Sequence, residues 1–143
     1  MWSAFNVTLT LDAVLISGGF GSGLKKVEMF HLVRKRKCIL PDMLENRHGH
    51  TSVGGVICGG GETRETKTSC ISFNPTTKSW HRPYEPISPR IYHVAWNWTN
   101  FEFENSFTLL GGGRYSQNIQ KTEVVFNSGK VTPGEEDLKY PIQ

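Results

Sequence analysis

The sequence predicts an all-β fold built from repeated four-stranded antiparallel units, and three observations support this prediction. Two Arg-x-x-His units, at residues 47–50 and 90–93, stand about 43 positions apart, a period typical of repeat architectures. Each unit is followed by an apolar run that ends in consecutive glycines, and a third glycine pair precedes both. Helical apolar spacing is nearly absent, and short β-branched and aromatic runs lie between Gly, Pro and Asn instead.

The middle unit, residues 47–89, has the clearest strand pattern. Gly54-Gly55 predicts a tight hairpin turn, because glycine adopts positive φ at no steric cost. The continuous apolar run that follows suggests a strand covered on both faces. A charged loop is expected at residues 62–67 and a turn at 74–77. The four strands are expected at residues 49–53, 56–58, 68–73 and 78–81.

The flanking units, residues 1–46 and 90–143, repeat this plan with departures at their ends. The first unit has strand signals at residues 13–16, 26–32 and 36–40, with a weak first strand somewhere in 2–9. The third unit has them at residues 92–96, 107–110 and 123–126, with a longer hairpin over 97–106 and a poor fourth strand in 132–137.

These residues resemble the Kelch repeat, the four-stranded blade of a class of β-propellers. The family pattern has an Arg opening the first strand, an apolar run into Gly-Gly, an aromatic residue late in the third strand and a Trp in the fourth. The middle unit matches at Arg47, Gly59, Gly60, Phe73 and Trp80. The third unit matches at Arg90, Gly111, Gly112 and Phe126, and the first at Gly18, Gly19 and Phe30, with Cys38 in place of the Trp.

The resemblance implies three blades of unequal quality. Residues 1–46 would form a partial blade, 47–89 a complete blade, and 90–143 a blade with a degraded fourth strand. Propellers typically close with about 4–8 blades, so three blades do not make a ring. We therefore expect an incomplete arc that belongs to a larger ring, or short arcs that self-associate through their exposed apolar faces.

The cysteines leave the compartment open. Cys58 and Cys70 are expected at the ends of consecutive strands, where a disulfide is possible, with Cys38 left over. The alternative is three buried free thiols. Glycosylation sequons at Asn6 and Asn97 favour a secreted protein only slightly. Neither a signal peptide nor a membrane span is recognisable, so both the cytoplasm and the outside of the cell remain open.

Motifs for catalysis, cofactors and metals are weak in this chain. The glycine-rich stretch 18–26 lacks the Lys-Ser/Thr pair of a phosphate loop. His48 and His50 share a strand face, yet zinc sites usually combine two close ligand pairs. No nucleophile elbow is present. The basic run 34–37 is expected to be a charged turn and not a nucleic-acid site. We therefore expect no enzyme activity, no cofactor and no metal.

The expected function is protein–protein interaction through loops at one end of the blades. Candidate binding residues are Arg47, Arg90, Glu62, Arg64 and Tyr115. For the two arginines the alternative is a structural role, paired with backbone carbonyls. The repeat glycines and Trp80 are expected to be structural. Other possible functions are a secreted or cell-surface propeller that binds glycans or matrix proteins, and a fragment of an oxidoreductase resembling galactose oxidase.

Overall fold

The computed structural model describes residues 6–9, 12–21, 24–96, 106–114, 117–118 and 121–134. Over these residues the chain is all-β, with antiparallel strands and no helix. The predicted all-β fold class is therefore confirmed. None of the described residues forms a helix long and apolar enough to cross a membrane.

Three four-stranded antiparallel sheets follow one another along the chain, and in each the strands pair in sequence order. Sheet 1 contains β1 (Asn6–Leu9), β2 (Ala13–Ser17), β3 (Val27–His31) and β4 (Arg36–Leu40). Sheet 2 contains β5 (Thr51–Val53), β6 (Val56–Cys58), β9 (Cys70–Asn74) and β10 (Ser79–His81). Between β6 and β9 the chain forms a separate small hairpin of β7 (Gly61–Glu62) and β8 (Glu65–Thr66). Sheet 3 contains β11 (Val94–Trp96), β12 (Ser106–Leu110), β15 (Glu123–Phe126) and β16 (Val131–Pro133). Between β12 and β15 lies a second small hairpin of β13 (Gly113–Arg114) and β14 (Gln117–Asn118).

The turns within sheet 2 have the chemistry that the sequence predicts. Gly54 and Gly55 both have positive φ, 54° and 82°, and join β5 to β6. After β9, the Asn74 side-chain oxygen accepts hydrogen bonds from the backbone N–H groups of Thr76 and Thr77. These local bonds replace strand pairing and reverse the chain.

Two segments differ from the sequence-based expectation. Residues 62–67 were expected as a charged loop, but Glu62 and Glu65 pair across the hairpin β7–β8. The poor fourth strand of the last unit forms as β16, which pairs with β15 and ends at Pro133, where the missing N–H matters little on an edge strand. The long hairpin expected over 97–106 lies outside the described residues except for Ser106.

Sheet 2 is covered on both faces, which explains the unbroken apolar run of β6. Ile57 packs toward sheet 1, while Val56 and Cys58 pack toward sheet 3. The core between sheets 1 and 2 contains Val27, Met43, Ile57, Ile71 and Trp80. The core between sheets 2 and 3 contains Val56, Cys58, Cys70, Ile87, Phe107, Leu109 and Val125.

Trp80 links sheet 2 to sheet 1. Its indole N–H donates to the Pro41 carbonyl at 2.8 Å, and its ring lies 5.2 Å from that of Phe73. The side chain is buried, so it fills the core as a structural residue. In sheet 1 the residue that pairs with Phe30, as Trp80 pairs with Phe73, is Lys37. Cys38, which was expected in place of the Trp, lies one position further along β4 and is an exposed free thiol.

The far faces of sheets 1 and 3 carry apolar side chains that reach the surface. Phe30 and Ile39 lie on the face of sheet 1 that points away from sheet 2. Val94 and Trp96 lie on the corresponding face of sheet 3. We call these surfaces the outer faces.

The first strands of the three sheets lie side by side, with β5 in contact with both β1 and β11. Because β2 and β6 run antiparallel to these strands, their C-terminal ends lie beside the starts of β5 and β11. Backbone hydrogen bonds join neighbouring units there: the Gly19 N–H donates to the Arg47 carbonyl, and the Gly60 N–H donates to the Arg90 carbonyl. We call this region, where the glycine pairs end the second strands, the glycine-pair end.

Glycine is required at the first position of each pair. Gly18 and Gly59 both have φ of 62°. A Cβ added to Gly18 would lie 2.3 Å from the Arg47 carbonyl oxygen, and one added to Gly59 would lie 2.6 Å from that of Arg90. The sheets therefore approach each other through bare backbone at the glycine-pair end.

Candidate functional site

Arg47 is fully buried beneath the glycine-pair end. Its Nη1 donates to the carbonyls of Gly59 at 2.6 Å and Ser69 at 3.0 Å. Its Nη2 donates to the Glu45 carboxylate at 2.8 Å and to the Ser69 hydroxyl at 2.6 Å. Burial lowers the pKa of Arg47 to about 10, and the charge of Glu45 opposes that shift. The guanidinium stays charged at neutral pH and holds β6, the following loop and residue 45 together.

Arg90 repeats this arrangement in sheet 3. Its Nη1 donates to the carbonyls of Gly111 at 3.1 Å and Lys121 at 3.2 Å, and its Nη2 donates to Glu123 at 2.7 Å. Glu123 also accepts from the backbone N–H and the hydroxyl of Ser88. Burial lowers the pKa of Arg90, with the charge of Glu123 acting in the opposite direction.

These contacts correct the binding role expected for Arg47 and Arg90. Both side chains are completely inaccessible, and their Nη1 and Nη2 groups donate to carbonyls and a carboxylate inside the protein. A ligand at the surface does not reach them without unfolding the site. Their positions correspond to the alternative expectation, a structural role, so we remove both residues from the candidate binding set.

His50 and His93 lie behind the glycine pairs and are also buried. The Nε2 of His50 lies 2.8 Å from the Ser17 hydroxyl. Burial, together with the charge of the nearby arginines, lowers the pKa of each imidazole to about 3. Both rings are therefore neutral at neutral pH, which rules out a role as cationic ligand-binding groups there.

Cys58 and Cys70 form a disulfide between β6 and β9. The two residues are direct partners in the strand register. The neighbouring pair, Gly59 and Ser69, is hydrogen-bonded, since the Gly59 N–H donates to the Ser69 carbonyl. Hydrogen-bonded and non-hydrogen-bonded pairs alternate along an antiparallel ladder, so the cysteines occupy a non-hydrogen-bonded position. Cα atoms approach most closely at such positions, and here they lie 4.1 Å apart.

Removing this disulfide is expected to destabilise the protein by about 3 kcal/mol, because the bond closes a loop of about 13 residues in the unfolded chain. The measurement is urea unfolding of the Cys58→Ala/Cys70→Ala variant against the wild type. Cys38→Ala is the matched control, since that thiol is free and exposed, and it should change stability by less than about 0.5 kcal/mol. Equal stability of the double variant and the wild type would contradict this expectation.

Three aromatic side chains, one from each repeat unit, form a row on the surface of the glycine-pair end. Phe20 follows the first glycine pair, His48 precedes β5 and Tyr92 precedes β11. The rings of Phe20 and His48 are 4.8 Å apart in an edge-to-face arrangement, and those of His48 and Tyr92 are 6.4 Å apart. Phe20 is 56% exposed and Tyr92 60% exposed, whereas His48 is buried between them. We call these three side chains the aromatic row.

His48 is fixed by its backbone. It forms an antiparallel bridge with Gly61, each N–H donating to the other's carbonyl at 3.0 Å. Burial lowers the pKa of its imidazole, while the Gly61 backbone and the charge of Glu62 raise it. The net direction is downward, so the ring at the centre of the row is neutral at neutral pH.

Tyr92 has a left-handed backbone conformation, with φ of 56°. The repeat places Gly49, with φ of 60°, at the corresponding position of the preceding unit. The Tyr92 N–H donates to the Gly49 carbonyl at 2.7 Å, and its ring lies where a Cβ on Gly49 would clash. A non-glycine residue in this conformation costs about 1–2 kcal/mol, and such strain is concentrated at functional sites.

We expect Tyr92→Gly to be more stable than Tyr92→Ala by about 1 kcal/mol, because only the alanine keeps a Cβ in the left-handed conformation. Both variants lack the ring, so the comparison isolates the backbone term. Thermal or urea unfolding measures the difference. If alanine is the more stable of the two, Tyr92 is not strained in the way described.

The hairpin β7–β8 extends from sheet 2 beside the aromatic row. Glu62 accepts a hydrogen bond from the Asn46 side-chain amide and is partly buried. Arg64 lies exposed in the hairpin turn, next to Thr63, whose φ is 52°. The structure therefore brings Glu62 and Arg64 to the same end as the row. Tyr115, the remaining candidate binding residue, lies outside the described residues.

Sequence patterns did not predict Phe20 as a site residue, and they indicated His48 only as a weak metal ligand. The sequence carries a signal for Tyr92, because this tyrosine occupies the position at which the preceding Arg-x-x-His unit has Gly49. For Phe20 the signal was a bulky aromatic residue inside a glycine-rich loop. Over the described part of the chain, His, Cys, Asp and Glu side chains form no group of three suited to a metal ion.

Comparison with known proteins gives a likeness of fold alone. No family model matches the sequence, and no curated protein matches it significantly. Among solved structures, that of YjhT aligns with a TM-score of 0.77 over 98% of this chain, at 16% sequence identity. The alignment covers 53% of the YjhT chain, so this chain spans about half the length of that structure.

Proposed function

We propose that this chain is a non-catalytic protein–protein interaction module, an arc of three Kelch-type propeller blades that presents its binding surface at the glycine-pair end. In this interpretation each four-stranded sheet is a blade, and β1, β5 and β11 are the innermost strands. The recurrence of a glycine pair and a buried arginine supports the assignment. The three consecutive four-stranded sheets, with β5 in contact with both β1 and β11, support the arrangement as an arc.

The observation that carries the binding role is the aromatic row. Phe20 and Tyr92 are more than half exposed, although large aromatic side chains are usually buried. They stand on a backbone held by Arg47, Arg90 and the bonds between sheets. Exposed aromatic residues on a rigid support are typical anchors of protein interfaces.

Selection of peptide ligands tests this proposal. A library of random peptides displayed on phage is panned against the immobilised protein, and selected peptides are measured against variants by fluorescence anisotropy. We expect binding to be lost in Phe20→Ala and retained in Lys78→Ala, which lies in the turn after β9 at the opposite end of sheet 2. Failure to select any specific peptide would contradict the proposal, as would ligands that Phe20→Ala still binds.

The disulfide favours a second candidate, a secreted or cell-surface propeller that binds glycans or matrix proteins. Structural disulfides persist in oxidising compartments, and this bridge is buried in the core between sheets 2 and 3. Binding to a glycan array, with no peptide selected, would favour this candidate. Electrophoresis of the natural protein with and without reductant tests whether the bridge is formed in its own compartment.

A further inference from the structure

We propose that the aromatic row binds a cationic side chain, an arginine of a partner protein, between Phe20 and Tyr92 and beside Glu62. This inference rests on the proposed function and specifies the chemistry of the partner. It concerns residues of the glycine-pair end that are exposed or partly exposed.

The two exposed rings of the aromatic row present π faces that a cation can stack on. A guanidinium placed over the face of a tyrosine or phenylalanine is attracted by the negative face of the ring, and it stacks as a planar group. The rings of Phe20 and Tyr92 lie 4.8 and 6.4 Å from that of His48, so a flat side chain placed over His48 would have both rings within its reach. The left-handed backbone of Tyr92 holds its ring in this position at a cost in stability, which indicates selection for presentation of the ring.

Glu62 adds a negative charge beside the aromatic row. It directly follows Gly61, whose backbone is bridged to His48, and its charge acts on the His48 imidazole. Its hydrogen-bond partner within the described residues is the neutral amide of Asn46, so its negative charge is not cancelled by an ion pair there. Carboxylates bind guanidinium groups through charge-assisted hydrogen bonds.

The aromatic row itself carries no positive charge that would oppose a cationic ligand. The central His48 is neutral because burial lowers its pKa. Arg64 is the exposed cation of the neighbouring turn, two residues from Glu62. An acidic partner would bind Arg64, whereas a basic partner would be repelled by it. Arg64→Ala therefore distinguishes the two kinds of partner: it should weaken binding of an acidic partner and should not weaken binding of a basic one.

The selected peptides and three variants test this inference. We expect the peptides to contain arginine, and replacing that arginine with citrulline, which is neutral and of similar shape, to weaken binding about tenfold or more. Glu62→Gln and Tyr92→Gly should each weaken binding by a similar factor, while Arg64→Ala should leave it unchanged or stronger. Lys78→Gly is the matched control for Tyr92→Gly, since Lys78 also has positive φ but lies at the opposite end.

The outcomes separate this inference from the proposed function. The cationic site is overturned if the selected peptides need Phe20 but contain no basic residue. It is also overturned if their citrulline forms bind equally well. In both cases the proposed protein-binding function stands. Acidic peptides that lose binding in Arg64→Ala overturn the cationic site in the same way. If no peptide is selected, both proposals fail.

Discussion

Replacing Arg47 with methionine is expected to destabilise the protein by about 3–5 kcal/mol, the largest effect we expect from any single substitution. Methionine fills much of the volume but provides no donor. The Gly59 carbonyl would then lose the bond from the arginine, and the Ser69 carbonyl and the Glu45 carboxylate would each lose one of their hydrogen-bond partners inside the protein. Urea unfolding followed by circular dichroism measures this loss.

Arg82→Met is the matched control for this substitution. Arg82 pairs with the same Glu45 carboxylate, but its side chain is about half exposed. Exposed ion pairs contribute about 0–1 kcal/mol, so the control should lose little. A loss of stability in Arg47→Met no larger than that in Arg82→Met would contradict the structural role assigned to the buried arginine.

Acidification from pH 7 to pH 5.5 is expected to lower the free energy of unfolding by about 2–3 kcal/mol through His50 and His93 together. Each imidazole has a pKa of about 3 in the folded protein and about 6.5 when unfolded, because burial disfavours the charged form. Below pH 6.5 the unfolded chain therefore binds protons that the folded chain does not. This stability is fully present above pH 6.5 and decreases continuously as the pH falls toward 3.

Urea unfolding at the two pH values gives the size of this effect, and NMR titration of the histidine ring protons identifies its source. The His50 and His93 resonances should not shift with pH between 7 and 5.5. His50→Asn, compared with wild type at both pH values, should show about half of the pH dependence. Titration of both rings near pH 6.5 in the folded protein would contradict the burial described for them.

Much of the fold follows from local sequence chemistry. The Gly54-Gly55 turn, the apolar run of β6 and the turn after Asn74 depend on neighbouring residues, so their positions could be predicted. The hairpin β7–β8 could not, because its two-residue strands lie in a charged segment with no apolar alternation. Thr63 also adopts a positive φ there, which its residue type does not indicate.

The candidate site was harder to predict because it depends on contacts between units. Arginine is usually exposed, so a repeated arginine was a reasonable binding candidate; only the packed structure shows the carbonyls that surround Arg47. The aromatic row brings together Phe20, His48 and Tyr92 from three repeat units. These residues are far apart in the sequence, so a pattern of neighbouring residues does not predict that they meet. The visible signs were the tyrosine at position 92 where the preceding unit has glycine, and the bulky Phe20 inside a glycine-rich loop.

Hydrogen exchange of the protein with and without a selected peptide tests the central claim most directly, that the glycine-pair end is the binding surface. We expect slower exchange on binding in residues 18–21, 46–50, 61–66 and 90–93, with the outer faces unchanged. Protection confined to the outer faces, around Phe30 and Ile39 or around Val94 and Trp96, would contradict the account and assign binding to those surfaces instead.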